Sequence, residues 1–183
     1  TADNNLTFTS TIDADNSTTA NRTLTVTAGG GTVSLGGDIG TGTNGHLADL
    51  DITAASIIIS GATVRLDDDD EVVVRTSTFT GAVTLTTSVT IDTDSGVGGG
   101  TDNSLTFAST VNGTAGGAAE SLTLTTGGGD ITFTGVVGAT DPLGAVTINA
   151  ANNVTTSAAF SASSFNQAVT GTGTTQIGGV LTA

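Results

Sequence analysis

Five carboxylates stand side by side at Asp67, Asp68, Asp69, Asp70 and Glu71, the densest run of oxygen ligands in the chain. Adjacent carboxylates repel one another unless water or a cation screens them, and calcium takes roughly six to eight oxygens from such groups. The run separates two strand-like stretches, residues 62–66 and 72–75, so it reads as a turn. Calcium held by these five residues is one expectation; a solvated acidic turn flanked by Arg65 and Arg75 is the other. Alternate carboxylates recur in Asp92-Thr-Asp94-Ser-Gly96 and in Asp13-Ala-Asp15-Asn16. Neither has the sixth-position glycine and distal glutamate of an EF-hand loop, and Asx turns account better for both.

Nucleophilic and acid–base chemistry has little to stand on. His46 is the only histidine, cysteine is absent, and no Gly-x-Ser-x-Gly elbow presents a serine. The glycine triplets at residues 29–31 and 127–129 lack the lysine and helix of a phosphate loop and read as tight turns. The expectation is a chain that is not an enzyme and requires no cofactor, calcium being the one ion its acids would suit.

Any such group must be held by elements, and composition limits what those are. Only 11% of residues are charged and 36% are hydrophobic, with threonine and glycine filling much of the remainder. Arg22, Arg65 and Arg75 face 17 acids, for a net charge of −14. Nucleic acid is therefore excluded as an expected partner, because phosphate binding depends on Lys and Arg. An anionic membrane surface would repel the chain, and no apolar run approaches the roughly 20 residues of a spanning helix. The absence of cysteine suits an extracellular bacterial protein. With no methionine either, the sequence reads as a processed or excised part of a longer chain or polymer.

A segment of the chain is written twice. Asp3-Asn-Asn-Leu6-Thr-Phe8 returns as Asp102-Asn-Ser-Leu105-Thr-Phe107, an offset of 99 residues. Gly29-Gly-Gly-Thr-Val33-Ser-Leu35 returns as Gly127-Gly-Gly-Asp-Ile131-Thr-Phe133, an offset of 98. Leu50-Asp-Ile52-Thr-Ala-Ala55 returns as Val146-Thr-Ile148-Asn-Ala-Ala151, an offset of 96. The two copies, approximately 3–55 and 102–151, lie in what is expected to be one β-repeat domain over residues 1–183. The length changes fall in polar, glycine- and asparagine-rich stretches, as surface loops allow. A shorter echo, Phe79-Thr-Gly-Ala-Val83 against Phe133-Thr-Gly-Val-Val137, predicts that each copy is built from smaller rungs.

Within the copies, apolar residues alternate with threonine: Leu24-x-Val26, Val33-x-Leu35, Ile57-x-Ile59, Val64-x-Leu66, Val83-x-Leu85, Leu105-x-Phe107 and others. Period two with one apolar face is the mark of half-buried strands, and no window shows helical spacing. Two all-β architectures fit. One is a parallel β-helix or β-solenoid of about 20–30 residues per rung; the other is an immunoglobulin-like sandwich that polymerises by donor-strand exchange through residues 6–12. Direct repetition, the small aliphatic core and the shortage of two-residue hairpin turns favour the solenoid.

The strings Asn103-Ser-Leu-Thr-Phe107, Gly127-Gly-Gly-Asp-Ile-Thr-Phe-Thr-Gly135, Pro142-Leu-Gly-Ala-Val-Thr-Ile148 and Ala162-Ser-Ser-Phe165 resemble the β-strand repeats of large bacterial surface proteins of the filamentous-haemagglutinin adhesin type. The resemblance implies a secreted or surface-attached β-rich polymer and carries no active site. The expected function is a structural segment of an extracellular filament, surface layer or adhesin stalk, assembled by strand stacking. Its expected partners are further copies or repeats of itself. A glycan-binding or polysaccharide-acting β-helix is the alternative, with surface glycans as partner. Six phenylalanines as the sole aromatics, with three arginines, leave that alternative poorly equipped for catalysis.

Overall fold

The computed structural model describes residues 4–17, 22–66, 74–94, 102–114, 116, 120–168 and 173–183. These residues form strands and loops and no helix. The strands are β1 (Leu6–Phe8), β2 (Thr23–Thr27), β3 (Thr32–Leu35), β4 (Asp49–Ile59), β5 (Thr63–Arg65), β6 (Thr76–Leu85), β7 (Val89–Asp92) and β8 (Ser104–Phe107). They continue as β9 (Val111–Asn112), β10 (Leu122–Thr125), β11 (Ile131–Phe133), β12 (Leu143–Ala150), β13 (Val154–Thr156), β14 (Phe160–Gln167), β15 (Thr175–Ile177) and β16 (Leu181–Thr182).

Each of these strands pairs in parallel with strands one turn before or after it. Hairpins cannot produce that pattern, so the antiparallel sandwich is excluded and the chain is a parallel β-solenoid. Three columns of paired residues run along it. Face one carries Val26, Ile52, Phe79, Phe107, Phe133, Thr156 and Ile177. Face two carries Leu6, Val33, Ile57, Val83, Val111, Val137, Phe160 and Leu181. Face three carries Ile12, Ile39, Val64, Ile91, Leu124, Ile148 and Gln167. Successive members of face one are 21 to 28 residues apart, within the spacing the sequence predicts. The seven pairings of face two correspond to a height of about 34 Å at roughly 4.8 Å per step.

The alternating sequence explains the core. In β3 and β8 the apolar residue of each pair is buried and the threonine or serine between is half-exposed. Faces one and two merge into one ten-stranded sheet because β4 and β6 run through the corner between them. Face three belongs to a six-stranded sheet. On face one, Phe79, Phe107 and Phe133 stack with ring centroids 5.4 and 5.1 Å apart and planes within 15°. Thr156 interrupts this column. There Phe160 packs edge-on against Phe133 from face two, at 5.5 Å, and meets Phe165 at 5.3 Å. Thr156 is buried and its hydroxyl finds no hydrogen-bond partner.

The duplication has a geometric consequence. Stepping from Leu6 through Ile12, Leu24, Val33 and onward, Leu105 is reached after eleven strand positions. Twelve positions would make whole turns of a three-sided coil. One position short moves every repeated residue to the neighbouring face. Leu6 on face two becomes Leu105 on face one, Ile12 on face three becomes Val111 on face two, and Leu24 on face one becomes Leu122 on face three. Contacts are nevertheless copied. Gly31 packs against the Asn4 carbonyl as Gly129 packs against that of Asn103, and Gly37 meets Ser10 as Gly135 meets Ser109.

Candidate functional site

Acids and amides collect at the corners and work as brackets between turns. The Gly42 N–H donates to Asp13 Oδ1 at 2.9 Å and Ala62 and Thr63 donate to Asp38 Oδ1 at 2.8 and 3.0 Å, while within the strands of face one Thr78 donates to Asp51 Oδ1 at 3.1 Å. Asn112 accepts from the Thr140 N–H at 3.2 Å, and Asn153 from Thr174 at 2.9 Å. Each bond joins a side chain to a backbone N–H one turn further on. A corner N–H outside the strand ladder would otherwise be left unpaired, at a cost of about 1–3 kcal/mol where it is buried. Duplication extends even here: Thr32 donates to Asn5 Oδ1 at 2.9 Å, and Asp130 donates to Ser104 Oγ at 3.0 Å.

The densest described corner joins face three to face one around β7, β8, β11 and β13. Asp102, Ser104, Gly128, Gly129, Asp130 and Asn152, with Val74, line an open groove of about 400 Å³. Asp130 Oδ1 receives the Asn152 amide at 2.9 Å and the Asn153 N–H and side-chain amide at 3.0 and 2.9 Å. Asp102 receives the Gly128 N–H. Beneath it Asn103 is fully buried: its Nδ2 donates to the Ala48 carbonyl at 3.1 Å and its Oδ1 accepts the Arg75 N–H at 2.8 Å. Thr93 donates its hydroxyl to the Asn103 carbonyl at 2.6 Å. The groove's polar walls are thus committed to holding the corner.

Asp94 is the exception. Burial first, then the neighbouring Asp102 charge and a hydrogen bond to it, raise its pKa from 3.8 to about 6. The two carboxylates are pressed together against Gly127, and Asp94 keeps its proton up to about pH 6. Below about pH 4 Asp94 is protonated folded or unfolded. Between about pH 4 and 6 only the folded chain keeps the proton, so stability falls as pH rises through this window and levels off above it. Asp94 is largely solvent-facing, which limits the effect to about 1 kcal/mol. An Asp94→Asn variant should therefore gain on the parent chain by about 1 kcal/mol between pH 4 and 7, measured by urea unfolding at each pH. A constant difference between the two proteins across that range would contradict the raised Asp94 pKa.

The sequence-identified acids have separate fates. Asp67, Asp68, Asp69, Asp70 and Glu71, the five expected calcium ligands, lie outside the described residues. Asp92 and Asp94 form the expected Asx turn, the Asp94 N–H donating to Asp92 Oδ1 at 3.1 Å. Asp13 brackets the next turn instead, and Asp15 pairs with Arg22 in an exposed bidentate contact of 2.7 and 2.9 Å. That pair holds the Asp15 carboxyl down at about 2. His46 is half-buried, with Nδ1 making no hydrogen bond. Among the described residues no three histidine or acid side chains are grouped to hold a metal ion. No described helix is long and apolar enough to cross a membrane. The bracketing residues Asp38 and Asp130 stand alone in the sequence, and Asp51 alternates with Asp49; only the turn register exposes their role.

Fold and corners together define a parallel β-solenoid with amide- and carboxylate-bracketed corners. No protein-family model matches the chain, and comparison with curated proteins and with solved structures likewise finds no match.

Proposed function

We propose that this chain is a non-enzymatic structural segment of an extracellular bacterial filament, surface layer or adhesin stalk, assembling by stacking of β-strands. The observation that carries this reading is the parallel coil itself, in which each described turn offers the next a strand edge and an apolar column in register, so that the stack grows by adding turns. The outer edges of β1 and β2 at one end, and of β15 and β16 at the other, pair with no other described strand. Two of their inward residues, covered elsewhere on the same face, meet solvent: Leu6 is 42% exposed and Leu181 44%. Open strand edges of this kind template pairing with another chain. Natural edges are commonly blunted by charge or proline. In a chain of net charge −14, none of these four strands carries a charged residue or a proline.

Sedimentation velocity and electron cryo-microscopy of the purified protein, with calcium and with chelator, test the reading. Concentration-dependent rods or filaments whose axial repeat matches the segment height support it. Strict monomers at the highest soluble concentration in both conditions would overturn self-assembly. A glycan array on the same material tests the rival role.

A further inference from the structure

Charge divides the coil lengthwise. Face two, with the corner leading into it from face one, comprises residues 5–9, 28–36, 54–60, 81–86, 108–113, 134–138, 157–161 and 178–182, one stretch from each turn. None of these residues is Asp, Glu, Lys or Arg. Asp49 and Asp51 lie on β4 in face one, and Arg65 and Asp92 lie on β5 and β7 in face three. The remaining described charges occupy the two corners that flank face three. Every described charge therefore lies off face two.

Along this strip the outward side chains are small. Thr7, Ser34, Ile58, Thr84 and Asn112 form one paired column. Beside it stand Ser56, Ala82 and Val136, all half-exposed. Gly81 and Gly135, where a Cβ would collide with the Ala54 carbonyl and with Ser109, leave the corner bare. The result is an uncharged wall about 34 Å long and, at four residues per turn, about 14 Å wide, with a repeat of about 4.8 Å.

We infer that this wall is a lateral contact between two copies of the chain, face two of one packed on face two of the other. Copies of net charge −14 repel when they meet by faces or corners that carry acids. Face two lets them approach with those charges turned away. A second copy also has the same repeat, so small side chains interdigitate turn for turn, as between the identical sheets of a steric zipper. Each copy would bury about 500 Å², or about 1,000 Å² in all, the threshold of a specific interface. Such a contact is weak and belongs to high protein concentration. It uses no strand edge, so it adds a sideways contact to the stacking proposed above and does not depend on it. A neutral glycan is the competing occupant, but no outward aromatic ring stands on the wall to hold a sugar face.

Sedimentation equilibrium tests the contact first through salt. Because the wall is uncharged and the rest of each copy is acidic, raising salt from about 0.05 to about 0.5 M should tighten pairing severalfold. Two near-isosteric variants then locate it. Asn112 lies on the wall, and its Oδ1 accepts the Thr140 N–H at 3.2 Å, a bond that a carboxylate keeps. Asn166 is exposed on face three. Asn112→Asp should weaken the dimer about tenfold, because it sets like charges into a closing neutral contact, and Asn166→Asp less than about twofold. The chain has no cysteine, so a nitroxide on Thr84→Cys is a unique label midway along the wall. Paired walls bring two such labels within about 20 Å, whereas strand stacking alone holds them about 34 Å or more apart. Equal weakening by the two asparagine variants, or association with the labels a segment height apart, overturns the lateral contact and leaves end-to-end stacking standing. Monomer at every salt concentration overturns it as well. Monomer retained on a neutral polysaccharide, and released by Asn112→Asp, gives the wall to a glycan instead. Circular dichroism and urea midpoints confirm that each variant is folded.

Discussion

Replacing Phe107 by alanine should lower stability by about 4 kcal/mol, the largest loss expected from any single truncation in this core. The ring is fully buried on face one, with Phe79 5.4 Å away on one side and Phe133 5.1 Å away on the other. Removing it takes away its own burial and opens a cavity, which for phenylalanine costs about 3–5 kcal/mol. It also breaks two stacked contacts at once, each worth about 0.5–1.5 kcal/mol beyond area alone. Relaxation is limited because the neighbours above and below are fixed by strand pairing. Phe107→Leu, which keeps most of the volume, should cost about 1–2 kcal/mol. Phe8→Ala is the informative contrast. Phe8 is the duplicate of Phe107 but lies half-exposed at a free end, so its loss in the monomer should cost only about 1 kcal/mol. Urea midpoints for the three variants check the ordering. Equal losses for Phe8→Ala and Phe107→Ala would mean that the end of the coil is already covered in solution.

That contrast depends on knowing which turn sits on which, and here the sequence stops short. Alternation in Val33-x-Leu35 or Leu105-x-Phe107 is legible because one buried face forces period two locally. The echo between Phe79 and Phe133 is legible too, and the two prove to lie two turns apart on one face, with Phe107 between them. An offset of 96 to 99 residues, however, fits four short turns as well as three and two-thirds longer ones. Only the pairing of Leu6 with Val33, and of Leu105 with Ile131, settles which. Corner chemistry fails for the same reason. Reading along the chain groups Asp94 with Asp92, two residues away, whereas the larger effect of charge comes from Asp102, eight residues further on. Asp38, Asp51 and Asp130 each grip a backbone N–H on the next turn, a separation at which no local motif exists. The one usable signal was the duplication itself. Asn5 and Ser104 both stand immediately before the repeated leucine, and both accept an N–H from the turn above.

The duplication also makes a thermodynamic demand, through Gly40 and Gly138. Gly40 follows Ile39 on face three and Gly138 follows Val137 on face two, so the two sit on different sides of the coil. Their surroundings nevertheless match. Gly40 has φ +70° and donates its N–H to the Ile12 carbonyl at 2.8 Å; Gly138 has φ +67° and donates to Val111 at 2.7 Å. A Cβ at Gly40 would collide with the Arg65 carbonyl oxygen and lie 3.2 Å from the His46 Cα. At Gly138 it would collide with the Ser161 carbonyl and lie 3.0 Å from the Pro142 Cα. Left-handed backbone strains any L-residue, and the carbonyl belongs to a paired strand that cannot move aside cheaply. Gly40→Ala and Gly138→Ala should each cost about 2–4 kcal/mol. The double variant should lose close to the sum, since the sites share no contacts. Asparagine tolerates positive φ, as Asn44 does here at φ 54°, so Gly→Asn separates the two causes. If backbone strain alone were responsible, asparagine would recover most of the loss. The carbonyl collision predicts that it recovers little at either site. Losses that differ strongly between Gly40 and Gly138 would show that one copy has relaxed away from the corner both inherited.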